Sequence, residues 1–146
     1  MDILTAFSET LSELMLENNL SAETFSKAVK IDRSVIYRYQ RRQTLPSLEN
    51  AIIIADYFNC SLDYLFGRSA TNPEVLFKSA PPFSEQFKKL LDENGKTRYR
   101  LCRDTHFAEQ SIDDWFHGKR LPSLQNIFDL ADYFNCSLDY LIGREN

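Results

Sequence analysis

An all-helical chain made of two copies of one small unit is what these 146 residues predict. Three observations carry that expectation. The stretch from Ala55 to Leu65, ADYFNCSLDYL, returns letter for letter from Ala131 to Leu141, which chance does not produce within one chain. The offset, 131 minus 55, is 76; carried backwards without a gap it pairs Phe7 with Phe83, Leu14 with Leu90, Ile36 with Ile112, and Leu45-Pro46-Ser47-Leu48 with Leu121-Pro122-Ser123-Leu124. Within each copy, apolar residues recur three and four apart between capping residues, the period of amphipathic helices.

Composition sets the bounds. A hydrophobic fraction of 43% with 13% aromatics is enough for two cores of about 60 residues each to fold without metal or disulfide. The expected organisation is a first domain over 1–68, a linker over 69–82 and a second domain over 83–146. Cys60, Cys102 and Cys136 are odd in number and lie among apolar residues, so all three read as small buried side chains. The start, Met1 to Thr5, shows neither signal peptide nor membrane-spanning run, and a cytoplasmic protein is expected.

In the first copy, Phe7, Leu11, Leu14 and Met15 predict a helix from Phe7 to Asn18, stopped at Asn18-Asn19. Ser21 caps a second helix whose inward stripe is Phe25, Ala28 and Val29. Lys30-Ile31-Asp32 turns the chain, and Asp32 caps a third helix running to about Gln40. Ile36 and Tyr39 point inward on it, which leaves Arg33, Ser34, Tyr37, Arg38 and Arg41 outside. Ser47 caps a fourth helix and Ser61 a short fifth, ended by Gly67. Met15 or Leu16, and Ile53, fall where exposure is expected, with contact to the linker or the other copy preferred over contact to a separate subunit.

Five helices with a three-residue turn between the second and third make a helix-turn-helix unit. The Ile31-x-x-x-x-Ile36-x-x-Tyr39 core, the Leu45-Pro46-Ser47-Leu48-Glu49-Asn50 opening and the Ser61-Leu62-Asp63-Tyr64-Leu65-x-Gly67 tail resemble the Cro/phage-repressor (XRE-like, lambda repressor-like) domain over nearly the whole of each copy. The fold this implies is two five-helix lambda-repressor-like domains in tandem.

Net charge is −4, which by itself speaks against nucleic acid. Its distribution does not. From Lys27 to Gln43 the chain carries six cations, Lys27, Lys30, Arg33, Arg38, Arg41 and Arg42, against Asp32 alone. In the family resembled, the third helix lies in the major groove, which places Arg33, Ser34, Tyr37 and Arg38 at base edges. The same resemblance places Ser21, Arg41, Arg42 and Gln43 on phosphates, with Ala22 a departure from the amide residue common at its position.

The linker's Asn72-Pro73-Glu74 reads as a cap followed by proline, and predicts one helical turn through Val75, Leu76 and Phe77 packed on a domain. In the second copy, Phe83, Phe87, Leu90 and Leu91 form helix one, and Thr97 caps helix two, filled by Leu101 and Cys102. Phe107, Ile112 and Trp115 build the core around helix three. The outward positions of that helix are Glu109, Gln110, Asp113 and Asp114, three of them carboxylates that repel phosphate at short range. The resemblance places the candidate DNA contacts of this copy at Thr97, Arg98, Gln110, Lys119 and Arg120, with Lys96, Arg100 and Arg103 nearby. An acidic side chain can accept from cytosine N4, so base reading, phosphate contact alone and protein binding all stay open for this copy.

His106 and His117 lack companions at ligand spacing, so no metal is expected, and no cofactor. Tyr39 and Trp115 read as core aromatics, and Tyr57, Phe58 and Tyr64, with Tyr133, Phe134 and Tyr140, as packing. No nucleophile-base constellation or phosphate loop appears, so an enzyme is not expected. The resemblance implies a double-stranded DNA partner and a sequence-specific transcriptional repressor, as a homodimer or by intramolecular pairing of the two domains, with no membrane partner. The rival is a protein-interaction module, antitoxin-like, in which the helix-turn-helix frame holds protein.

Overall fold

The computed structural model describes residues 2–145, and its described residues form ten α-helices and no strand. The chain divides into two compact units, residues 1–77 and 78–146. In the first, α1 spans Ile3–Glu17, α2 Ala22–Val29, α3 Arg33–Gln40, α4 Leu48–Phe58 and α5 Leu62–Leu65. In the second, α6 spans Phe83–Glu93, α7 Arg98–Asp104, α8 Glu109–His117, α9 Leu124–Phe134 and α10 Leu138–Ile142.

Ser21, Asp32, Ser47 and Ser61 each cap the helix expected of them, their side-chain oxygens accepting the amides of Thr24, Ser34, Asn50 and Tyr64. The start of α1 differs from the Phe7 expected. Asp2 accepts the Thr5 amide at 2.7 Å and so begins the helix four residues earlier. That bond, the largest influence on the carboxyl, holds Asp2 below the usual carboxylate range.

The first core gathers Phe7, Leu11, Phe25, Ile36, Ala51, Ile54 and Leu65, all sealed from solvent. Phe7 meets Tyr39 edge-on at 5.3 Å and stacks on Phe66 at 5.4 Å, which joins α1 to α3 and to the end of α5. Burying each large apolar side chain contributes about 1.5–3 kcal/mol, so α3 is held by its inner face and leaves its outer face to other uses. Ser8 adds a polar tie, donating to the Gln40 carbonyl at 2.9 Å.

Two expectations about burial are corrected, and the alternative between Met15 and Leu16 is decided. Ala28 is exposed rather than inward, because Phe25 and Val29 lie four apart on the buried line of α2 and Ala28 falls on its flank; Ala22 is buried instead. Of the pair Met15 and Leu16, Met15 is buried and Leu16 is 78% exposed. Cys60 is buried, but Cys102 and Cys136 are only half-buried.

The linker forms no helical turn. Asn72 does not cap; its side chain accepts the Ser61 amide at 2.9 Å, on the first unit. Asn59 then holds the irregular segment that follows, donating to the Val75 carbonyl at 3.0 Å and accepting the Phe77 amide at 3.4 Å. Phe77 is half-buried, while Val75 and Leu76 are exposed, Leu76 by 90%, against the packing expected of them.

The second unit repeats the frame around Phe87, Leu101, Ile112, Trp115, Ile127, Leu130 and Leu141. Lys78 joins it by donating its amide to the Arg144 carbonyl at 2.9 Å, and Gln86 donates to the Tyr140 carbonyl at 2.8 Å. Arg144 and Asp139 form a buried ion pair. No described helix is long and apolar enough to cross a membrane.

Candidate nucleic-acid interface

The first unit's turn has Lys30 in the left-handed region at φ 58°, Ile31 buried as its anchor and Asp32 as the cap of α3. Asp32 accepts both from the Ser34 hydroxyl, at 2.7 Å, and from the Ser34 amide, at 2.8 Å. Those bonds, the hydroxyl's first, hold its carboxyl below the usual range, with Arg33 and Arg38 adding to the effect. The Ser34 proton is therefore engaged locally, and what its oxygen offers outward is lone pairs.

Arg33, Ser34, Tyr37, Arg38 and Arg41 are all exposed on α3 and the residue that caps its end. Arg33 and Arg38 pair with no acid among the described residues. The Arg41 guanidinium lies over the Tyr37 ring, 5.4 Å from its centroid, a cation–π contact that limits the freedom of both. This face has reach, hydrogen-bond donors and positive charge, and its Arg33 and Arg38 are held in no ion pair among the described residues.

Beyond α3, the chain closes the helix end by donating the Gln43 amide to the Arg38 carbonyl at 2.9 Å and the Arg42 amide to the Tyr39 carbonyl at 3.3 Å. Arg42 takes φ 60° there, where the second unit has Gly118 at φ 72°. An arginine in that region costs roughly 1 kcal/mol relative to glycine, which fits a position kept for its side chain. Its Nη2 lies 3.1 Å from Glu9 Oε1 with both side chains largely exposed, a pair of little strength. Ser21, exposed, engages its hydroxyl on the first turn of α2, accepting the Thr24 amide at 3.1 Å and donating to the Thr24 hydroxyl at 2.9 Å.

The second unit builds the same turn with different chemistry. Thr97 caps α7, accepting the Arg100 amide at 3.0 Å, but α8 has no side-chain cap because Ala108 stands where Asp32 does. Arg98 Nη1 lies 3.1 Å from Asp113 Oδ1, and its guanidinium sits 4.2 Å from the centre of the Phe116 ring. Arg120 Nε lies 3.2 Å from Asp114 Oδ2 and its Nη2 donates to Ser111 Oγ at 2.7 Å. Gln110 donates to Asp114 Oδ1 at 2.9 Å. Of the five residues expected as DNA contacts here, three thus turn to Asp113 and Asp114, and Lys119 is exposed.

Sequence reading missed those pairings, although a signal was present. Relative to the first unit, Ala22 becomes Arg98 while Tyr37 becomes Asp113, and Thr44 becomes Arg120 while Arg38 becomes Asp114. Each new cation arrives with a new acid. Away from this face, the seam between α7 and α9 is closed by Tyr133 donating to Asp104 at 2.7 Å and by His106 at 3.4 Å from Asp129. Among the described residues, no group of three or more His, Cys, Asp or Glu could hold a metal ion.

Comparison with known proteins agrees with this architecture. The helix-turn-helix family model HTH_3 matches twice, at residues 11–65 and 87–141. No curated protein and no solved structure matches the chain. Domains of this family are DNA-binding regulatory modules that generally engage double-stranded DNA. With both copies matched over most of their length, the chain belongs to the XRE-like helix-turn-helix family as a tandem duplication of its domain.

Proposed function

We propose that the protein is a sequence-specific transcriptional repressor that reads DNA with α3 of its first unit. The observation that carries this reading is the cationic face of α3, where Arg33 and Arg38 form no ion pair among the described residues and the Arg41 guanidinium lies over the Tyr37 ring. Arg33 and Arg38 each have the fork that bonds guanine O6 and N7 together, a pair that discriminates by about 1–3 kcal/mol. Ser34, its proton held by Asp32, accepts from an adenine or cytosine amino group. Tyr37 contributes a donor and an apolar edge.

Arg41, Arg42, Gln43 and Ser21 then serve the phosphates on either side. Arg42 exchanges Glu9 for a phosphate at small cost because the existing pair is solvated. Two chains bound as a homodimer present two such helices to a palindrome, with one reader from each.

Selecting preferred sites from random duplex DNA tests this, with wild type beside Arg33→Ala/Arg38→Ala. A recovered palindromic motif with guanines in each half-site, lost in the double variant, is the expected result. A second reading, a protein-binding module of antitoxin-like type, is favoured by the self-paired charges of α7 and α8. It would replace the first if wild type bound random DNA with no preferred site.

A further inference from the structure

Asp113 and Asp114 stand on α8 at the places that Tyr37 and Arg38 hold on α3. Each carboxylate holds a guanidinium that the frame would otherwise direct at the DNA backbone, Arg98 at 3.1 Å and Arg120 at 3.2 Å. An N···O separation of about 3 Å is also the distance at which a phosphate oxygen would bind. Over the turn and third helix the two units differ accordingly. Lys27 to Gln43 has six cations and one acid, while Arg103 to Lys119 has two cations, Arg103 and Lys119, and four acids, Asp104, Glu109, Asp113 and Asp114.

We propose that Asp113 and Asp114 are internal phosphate surrogates that occupy Arg98 and Arg120, and that they decide which of the two helix-turn-helix units engages DNA. The inference rests on reading α3 as the chain's DNA reader. Both ion pairs are partly exposed, with Arg98 and Asp113 at 40% and 39% and Arg120 and Asp114 at 55% and 17%, so they add little to folding. Their effect falls on binding. An incoming phosphate has to displace a carboxylate and then remain beside it, so the encounter meets repulsion where the first unit offers attraction. Gln110 reinforces the arrangement by donating to Asp114, and the Phe116 ring steadies Arg98 from its other face.

The test uses the full chain carrying Arg33→Ala/Arg38→Ala, so that the first unit contributes little, and a random-sequence duplex titrated at several salt concentrations. Adding Asp113→Asn/Asp114→Asn frees two guanidinium groups without changing side-chain size. Affinity at low salt should then rise at least about tenfold and the salt slope steepen by about 2, near 0.9 for each phosphate newly engaged. Further substitution with Arg98→Ala/Arg120→Ala should remove the gain. Absence of a gain overturns the proposal. So does a gain that survives loss of both arginines, or one matched by neutralising Glu85 and Asp92, which are exposed on α6. Circular dichroism checks folding, and should the combined variant unfold, Asp113→Asn alone must steepen the slope by about 1. If Arg33→Ala/Arg38→Ala binds like wild type, the reading of α3 fails, while the gain on the second unit remains separately measured.

Discussion

The two units share a frame down to eleven identical residues, yet α3 and α8 distribute charge in opposite ways. On α3 the cap Asp32 bonds its side chain to Ser34, and the guanidinium groups of Arg33 and Arg38 are exposed with no ion pair among the described residues. On α8 the acids lie along the outward face and draw cations from the helix before and the loop after. A duplicated fold therefore does not imply a duplicated surface. Core positions are tied to their neighbours by packing and resist change, whereas an exposed face can be recharged by a few substitutions at little cost in stability.

That contrast can be broken or sharpened by substitution. The largest effect is expected at Trp115, which is buried against Phe87 and Phe107 at ring separations of 6.1 and 5.1 Å. Trp115→Ala should cost the second unit about 3–5 kcal/mol, read as loss of amide-exchange protection in α6 to α10. If the first unit reads DNA alone, binding to a selected site should survive that change.

Next comes Arg33→Ala/Arg38→Ala, which should weaken specific binding about 100-fold in an anisotropy titration, or roughly 2.8 kcal/mol, for two lost guanine contacts. Asp113→Ala should cause no such loss. Equal losses would erase the asymmetry.

The caps offer a smaller and reciprocal test. Asp32→Ala removes the bonds that start α3 and should destabilise the first unit by about 1 kcal/mol. Ala108→Asp installs the missing cap on α8 and should stabilise the second unit by a similar amount in chemical denaturation, about 1 kcal/mol. A destabilising Ala108→Asp would mean that the end of α7 has no room for the turn that α3 uses.

The smallest effect is in titration. Burial, joined by the hydrogen bond to Asp104, pushes the Tyr133 phenol up to about 12 from an ordinary 10.0. A phenol raised in the folded state contributes stability below pH 10 that is lost as pH rises from there through about 12. The Asp104 carboxyl, lowered first by the Tyr133 bond, contributes above the usual carboxylate range and loses that contribution as pH falls through its folded value. Absorbance titration of Asp104→Asn should show one tyrosine ionising earlier than in wild type. Ala28 occupies the place of Asp104 in the first unit, so Ala28→Asp asks whether the same tie can be built onto Tyr57.

Much of this was legible before any coordinates. Asp32 followed by Ile36 and Tyr39 marks both the start of α3 and its buried side, because caps and helical spacing are local rules that act over three or four residues. The match of two family-model segments to the two copies follows from the same kind of information. The start of α1 lies before the buried stripe that begins at Phe7, because Ile3 and Leu4 are only half-buried and the first turn is set by the Asp2–Thr5 bond. The linker was misread for a different reason. Asn72 has the local signature of a cap, but the Ser61 amide, eleven residues back, competes for its side chain and wins.

The sequence by itself determined the duplication, the helical frame and the cationic character of the α3 face, since repeats, caps and periodicity depend on neighbours along the chain. Only the tertiary structure decided which charges are already answered. Arg98 and Asp113 are fifteen residues apart, and they meet because the packing of α7 on α8 brings them within 3.1 Å. Coulombic and hydrogen-bonding interactions act over ångströms in space whatever the separation in sequence, so the acids of α8 meet cations that lie outside that helix, Arg98 and Arg120.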